Sequence, residues 1–223
     1  MPGILSDTAI AAALNNGDIK IDPWDPAQLN PASYDLTLGD GVTVYRRWVS
    51  YDEDYDVQPK FGLSRAGVTG KPRDGSDLFA SSIRRDGDTG LVLNVKEEPS
   101  TVSFKIDKDQ GWILKPGIGY LMHTRERIWT EKFVPIVDGK SSIGRLFIQI
   151  HATAGYGDPG YDGEYTLEVI VQHPVRVYAG MRIGQIRFHT LEGEVEKTYK
   201  VTGSYKDEAA QGAVASKAWR QFK

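Results

Sequence analysis

A carboxylate in a glycine-rich turn, another inside an apolar strand, a guanidinium, an ammonium and two adjacent hydroxyls crowd into one short stretch of this chain. It runs Asp138-Gly139-Lys140-Ser141-Ser142-Ile143-Gly144-Arg145-Leu146, continues through Thr153-Ala154-Gly155-Tyr156-Gly157-Asp158-Pro159-Gly160 and closes on Tyr165-Thr166-Leu167-Glu168. Cations beside hydroxyls hold phosphate oxygens through charge-assisted hydrogen bonds, and a glycine such as Gly144 lets a ligand come close to the backbone. A carboxylate inside an apolar run is costly to bury ionised unless it is paired. In a partly dry site such a group serves as a general base. The mixture reads as a nucleotide site.

Strand parity gives these groups an orientation. A period of two over Arg145-Leu146-Phe147-Ile148-Gln149-Ile150 predicts a strand with Arg145 and Gln149 on one face and Leu146, Ile148 and Ile150 on the other. The same parity in Glu164 to Val171 sends Tyr165, Leu167, Val169 and Val171 one way and Thr166, Glu168 and Ile170 the other. Each group also has a plainer reading. Arg145 suits a structural salt bridge, Glu168 suits an edge strand facing water, and Asp158 in Gly157-Asp158-Pro159-Gly160 suits a turn that requires no chemistry. His123, His151, His173 and His189 show no paired metal spacing. His151 is read as a satisfied core group and left out of the catalytic set.

Composition narrows the classes. The chain has 223 residues, 40% hydrophobic and 26% charged, which suits one globular domain. A net charge of -3 argues against binding a nucleic-acid polymer or a membrane surface, while leaving room for a local basic pocket. The absence of cysteine excludes a thiol nucleophile, a disulfide framework and a cysteine zinc site. Met1 to Lys20 lacks a positive leader with an apolar core, and no apolar run reaches about 18 residues, so a soluble cytoplasmic protein is expected.

The elements that must position the site are mostly strands. Ser6 is expected to cap a short helix through Leu14, with Gly17 near its end. Ile21 to Pro26 looks too proline-broken for regular structure, and Asn30 to Asp35 reads as a turn before Leu36-Thr37-Leu38. Strands are predicted at Val42–Val49, Leu91–Leu93, Val102–Phe104, Trp112–Leu114, Gly119–Met122, Leu146–Ile150, Tyr165–Val171, Arg176–Tyr178 and Arg182–His189. Pro- and Gly-containing turns punctuate them, Asp138-Gly139 included. That spacing indicates a sandwich, barrel or jelly roll. The stretch at about 50–110 reads as a loop and hairpin excursion, with Arg65, Arg73, Arg84 and Arg85 as solvated charges. Residues from about 200 onward read as an exposed, mobile tail with a short helix from Ala213 to Trp219.

An ordered set of motifs then resembles the dCTP deaminases of the dUTPase superfamily. It comprises Ile4-Leu5-Ser6-Asp7, Ile21-Asp22-Pro23, Pro31 to Gly39, Asp138 to Leu146, His151-Ala152-Thr153-Ala154-Gly155, Asp158-Pro159-Gly160, Thr166-Leu167-Glu168, Gly180 to Gln185 and Gln211 to Ser216. The similarity covers about residues 3–48 and 111–223. It implies a mainly β fold, a distorted jelly-roll barrel of the dUTPase-like type with a short N-terminal helix and an extended tail. It further implies a homotrimer with shared active sites, Mg2+ bound with the nucleotide triphosphate, and deamination of dCTP to dUTP without zinc. The missing cysteines agree independently, because zinc deaminases need His and Cys ligands.

Carried over by position, Glu168 resembles the general base, with Ser141 and Arg145 orienting water and stabilising developing charge. Ala152 and Ala154 would read the base through the backbone, Asp158 would hold the 3'-hydroxyl, and Thr166 and Leu167 would flank the base. Lys140, Ser142, Gln185, Tyr199, Ser204 and Gln211 would grip the nucleotide. Lysine stands at 140 where the family usually has arginine. Ser204 stands where it has a phosphate-gripping lysine, with Lys206 two residues on. Thr153-Ala154-Gly155-Tyr156 looks like members that also hydrolyse dUTP to dUMP and pyrophosphate. A dUTPase alone, or a non-catalytic nucleotide-binding jelly roll, are the alternatives.

Overall fold

Ser6 does cap the first helix. Its hydroxyl accepts from Ala9 N–H, and α1 spans Asp7–Asn15, with Asp7 in the first turn and Ile10 and Ala13 buried. The computed structural model describes residues 3–45, 93–205 and 212–223. Most of the 50–110 excursion with its arginines, the end of the predicted Val42–Val49 strand, Leu91, Val92, Lys206 and Gln211 lie outside the described residues.

Eleven strands are described, in chain order β1 Lys20–Asp22, β2 Leu29–Asn30, β3 Ser33–Tyr45, β4 Thr101–Lys105, β5 Trp112–Leu114, β6 Tyr120–Trp129, β7 Phe133–Gly139, β8 Ile148–Gln149, β9 Asp162–Val171, β10 Val175–Val177 and β11 Arg182–Thr190. The main sheet runs β7-β11-β3-β6-β9-β8, with β1 on β6 and β2 and β4 on β3, while β10 and β5 form a separate pair. All pairings are antiparallel. The fold is mainly β, as expected. Three short helical turns are added: a 3-10 turn at Pro26–Gln28, α2 at Ser141–Gly144 and α3 at Tyr199–Thr202.

β3 is the central strand, paired with β11 on one side and β6 on the other. Tyr34 to Gly39 is buried on both faces, so its sequence lacks clean alternation. Leu36, Leu38, Leu167, Val169, Ile183 and Phe188 are fully enclosed in the core. Among the described residues no helix is long and apolar enough to cross a membrane.

Several local expectations are corrected. Ile21 pairs with Ile128 in β1, because the ladder needs only the residues before Pro23. Ser33 to Asp35 begins β3 instead of forming a turn. Asp138-Gly139, expected as turn punctuation, instead ends β7, the outer strand of the main sheet, where Pro135 is tolerated. Leu93 stands outside any strand, and the tail forms a 3-10 turn at Ala218–Phe222 in place of a helix from Ala213. The strand expected over 146–150 shrinks to Ile148–Gln149, since Arg145 ends α2 and Phe147 takes φ 55. The parity argument for Arg145 therefore fails, and Leu146 is exposed instead of facing the core.

Candidate functional site

β9 follows its predicted parity throughout. Tyr165, Leu167, Val169 and Val171 are buried, whereas Thr166, Glu168 and Ile170 lie on the more open face. Over that face sits a cavity of about 380 Å³, lined by Glu168, Thr166, Asp158, Ala154, Tyr199 and Leu121 among others. Leu167 belongs to the same motif, but its side chain points into the core.

The loop carrying Ala154 and Asp158 is fastened to the edge of β7. Val137 N–H donates to Gly155 O at 2.7 Å, and Gly157 N–H to Pro135 O at 2.8 Å. This close approach is why glycine recurs there: a Cβ on Gly155 would collide with the Val137 carbonyl oxygen, and one on Gly157 would lie 2.5 Å from the Tyr165 hydroxyl. Beyond the turn, Tyr161 N–H donates to Asp158 O, and Tyr199 N–H to Pro159 O. Tyr161, Tyr165 and Tyr199 form an aromatic cluster beside Asp158, with ring centroids 4.8 Å apart for Tyr161 and Tyr165 and 5.3 Å for Tyr161 and Tyr199. Burial pushes all three phenols up from a range already well above neutral pH.

Glu168 has one side-chain partner among the described residues. Its Oε2 lies 2.9 Å from His151 Nδ1, with the imidazole 11% and the carboxylate 39% exposed. The other ring nitrogen, His151 Nε2, is buried without a partner among the described residues. Sequence alone gives His151 only the reading of a satisfied core group. The missing signal was strand pairing: β8 opposes β9 with Ile148 on Val171 and Gln149 on Ile170, and continuing that register brings His151 opposite Glu168.

The tail contributes to the same cavity. Val214 N–H donates to Thr166 Oγ1 at 3.0 Å, Ser216 N–H to the Tyr45 hydroxyl at 3.2 Å and Tyr205 N–H to the Tyr199 hydroxyl at 3.1 Å. Lys217, another residue the sequence did not single out, is buried to 8% exposure and its ammonium lies 3.3 Å from Ser204 O. Ser204 itself is exposed.

The remaining residues lie elsewhere. Ser141, Ser142 and Arg145, on and just after α2, are exposed, and their side chains have no partner among the described residues. Lys140 donates to both carboxylate oxygens of fully buried Asp35, at 2.7 and 2.9 Å. Arg182 and Asn30 complete that cage at 3.1 and 2.9 Å. Gln185 bridges Ser33 and the Gly139 carbonyl. Ala152 is exposed and follows His151 on the loop. The cavity thus gathers Ala154, Asp158, Thr166, Glu168 and Tyr199, while the hydroxyl and cation group stands outside it. Among the described residues no three His, Asp or Glu side chains converge as a metal-ligand set.

Comparison with known proteins agrees with the motifs. The dCTP deaminase-like family model matches residues 4–70 and 73–191. A protein of Leptospira biflexa named dCTP deaminase, dUMP-forming, is 35% identical over 205 residues, covering 92% of this chain and 90% of that protein. Proteins of the same name from Hathewaya histolytica and Cytophaga hutchinsonii are each 35% identical, over 194 and 202 residues. The former match covers 87% of both chains, the latter 91% of this chain and 90% of the relative. Among solved structures, 2'-deoxycytidine 5'-triphosphate deaminase from Agrobacterium tumefaciens shares the fold, with TM-score 0.51 and 24% identity over 93% of this chain and 54% of that one.

Proposed function

The chain belongs to the dCTP deaminase-like family, and on that footing we propose that it deaminates dCTP and carries the product on to dUMP and pyrophosphate. The observation that carries the reading is Glu168. It is a half-exposed carboxylate on the open face of β9, inside a cavity with Asp158 and Thr166 and with an oxygen free to meet water. The dUMP-forming names of relatives that match most of this chain support the second step.

In this mechanism Glu168 takes a proton from a water as the water oxygen bonds to C4 of cytosine, and passes that proton to N3 as the ring double bond moves. Glu168 then moves the proton of the new 4-hydroxyl to the 4-amino group, which leaves as ammonia while C4 keeps the oxygen as a carbonyl. A second water attacks the α-phosphorus and breaks the bond to the β-phosphate, giving dUMP and pyrophosphate. His151, bonded to Glu168 Oε2, acts as a positioning residue that fixes the carboxylate. Activation of water by protein groups fits a chain that has no cysteine to ligate zinc. Mg2+ would arrive with the triphosphate as part of the substrate and neutralise its charge.

Ser141, Ser142 and Arg145 enter as the charge-stabilising group of a site shared in a homotrimer. Their exposure and their lack of side-chain partners among the described residues support this, as does the exposed apolar pair Leu146 and Phe147 beside them. Sedimentation analysis should give three chains per particle, and a monomer that turns over dCTP would remove the shared site.

The decisive assay incubates the protein with Mg2+ and either dCTP or dUTP and separates the products. Ammonia with dUMP and pyrophosphate is expected. Ammonia with intact dUTP would confine the activity to deamination, and inert dCTP with rapid dUTP cleavage would overturn the reading.

A further inference from the structure

Four hydroxyl-bearing residues that line the cavity each accept a backbone N–H from the tail. Val214 N–H donates to Thr166 Oγ1 at 3.0 Å, Ser216 N–H to the Tyr45 hydroxyl at 3.2 Å, Tyr205 N–H to the Tyr199 hydroxyl at 3.1 Å and Lys217 N–H to the Tyr205 hydroxyl at 3.1 Å. The donors are main-chain groups and the acceptors are side-chain oxygens. Removing one acceptor oxygen therefore loosens the tail while leaving its own sequence intact.

The sheet register shows where the anchors lie. Thr43 opposes Leu121 and Leu121 opposes Glu168, so these three form one row across β3, β6 and β9. Residues two apart on a strand share a face. Thr166 thus stands one row to one side of Glu168 and Tyr45 one row to the other, all on the open face of the sheet. A segment tied to both runs from the β9 side toward the β3 side past the Glu168 row, and its residues Val214 and Ser216 line the cavity. Gly212 sets the start of this segment against β6, where a Cβ would lie 3.6 Å from the His123 ring. Lys217 fixes its end, with the ammonium 3.3 Å from Ser204 O and 5.1 Å from the centre of the Tyr205 ring.

We propose that Tyr45 is a positioning residue for the nucleotide reaction. By accepting Ser216 N–H it holds residues 212–217 as one wall of the cavity, and that wall strengthens nucleotide binding without entering the chemistry at Glu168. This rests on the nucleotide reading of the cavity and adds a residue outside the motif positions. A wall that meets substrate and transition state alike lowers KM and leaves kcat in place.

The test uses the full chain and Tyr45→Phe, which keeps the ring and removes only the accepting oxygen. Without ligand, amide hydrogen exchange at Ser216 should quicken about fivefold, as for one lost hydrogen bond, while the β9 amides hold. KM for dCTP should rise by about the same factor with kcat unchanged. Ser216→Pro removes the donor of the same bond, so the double variant should bind dCTP no more weakly than the weaker single variant. Effects that multiply would mean that Tyr45 acts apart from the tail and would overturn the proposal, as would unchanged exchange at Ser216. A fall in kcat and melting temperature with KM unaltered would make Tyr45 a purely structural residue and overturn it as well. A wild-type chain that neither binds nor converts dCTP overturns the nucleotide reading, and exchange at Ser216 then still decides whether Tyr45 holds the tail.

Discussion

Asp35 and Glu168 are both carboxylates within strands, and the protein treats them in opposite ways. Asp35 is fully buried and caged by Lys140, Arg182 and Asn30. Glu168 is 39% exposed, holds one histidine and faces a cavity. An ionised group removed wholly from water must have its charge answered by its own chain, and removing one partner then leaves an uncompensated charge. A group whose chain answers it only in part retains capacity for a ligand. The contrast separates the charges that hold the barrel from those left for chemistry.

The largest effect should come from Glu168→Gln. It should lower deamination at least a thousandfold, within the range for a lost general base, while dCTP binding by calorimetry stays within about threefold. Near-normal ammonia release would place Glu168 with Asp35 as a structural group.

Asp35→Ala should reverse the pattern. Lys140 and Arg182 lose their shared acceptor, and the cost should be about 3 kcal/mol, seen as a melting temperature lower by roughly 6–12 °C. A variant that melts normally but binds the triphosphate differently would move Lys140 from the cage to the ligand.

Arg145→Ala should cut kcat/KM about a hundredfold in the ammonia assay and leave the melting temperature unchanged, since the side chain is exposed and has no polar partner among the described residues. His151→Gln should lower kcat about tenfold with KM little altered, because it disturbs the orientation of Glu168 and not the nucleotide contacts. Equal losses in kcat and affinity would mean that His151 shapes the cavity instead.

The smallest effect belongs to the surface pair Asp40 and Lys105, 2.8 Å apart and each more than half exposed. The Lys105 ammonium holds the Asp40 carboxyl below its usual range. A depressed carboxyl favours the folded state above its unfolded pKa, and that contribution fades as pH falls through the folded value. Lys105→Met should therefore shift the melting temperature barely at neutral pH and not at all in strong acid.

The orientation of Glu168 was legible because β9 is a regular strand with one dry face, where a period of two translates directly into sides. The same rule misread Arg145. The backbone between α2 and β8 turns through a left-handed residue at Phe147, which no alternation of side chains announces. β7 is hidden for a related reason: Asp138-Gly139 looks like turn chemistry, and only the position of the strand at a sheet edge accommodates it together with Pro135.

The sequence alone determined the mainly β class, the Ser6 cap, the sides of β9, the exclusion of cysteine-bound zinc and, through its ordered motifs, the family. These follow from local periodicity, composition and residue order. Tertiary structure alone decided that Lys140 answers Asp35, that His151 meets Glu168 and that the tail reaches Thr166. Each depends on which distant strands and loops become neighbours, and that choice is made by the packing of the whole core rather than by any single stretch of chain.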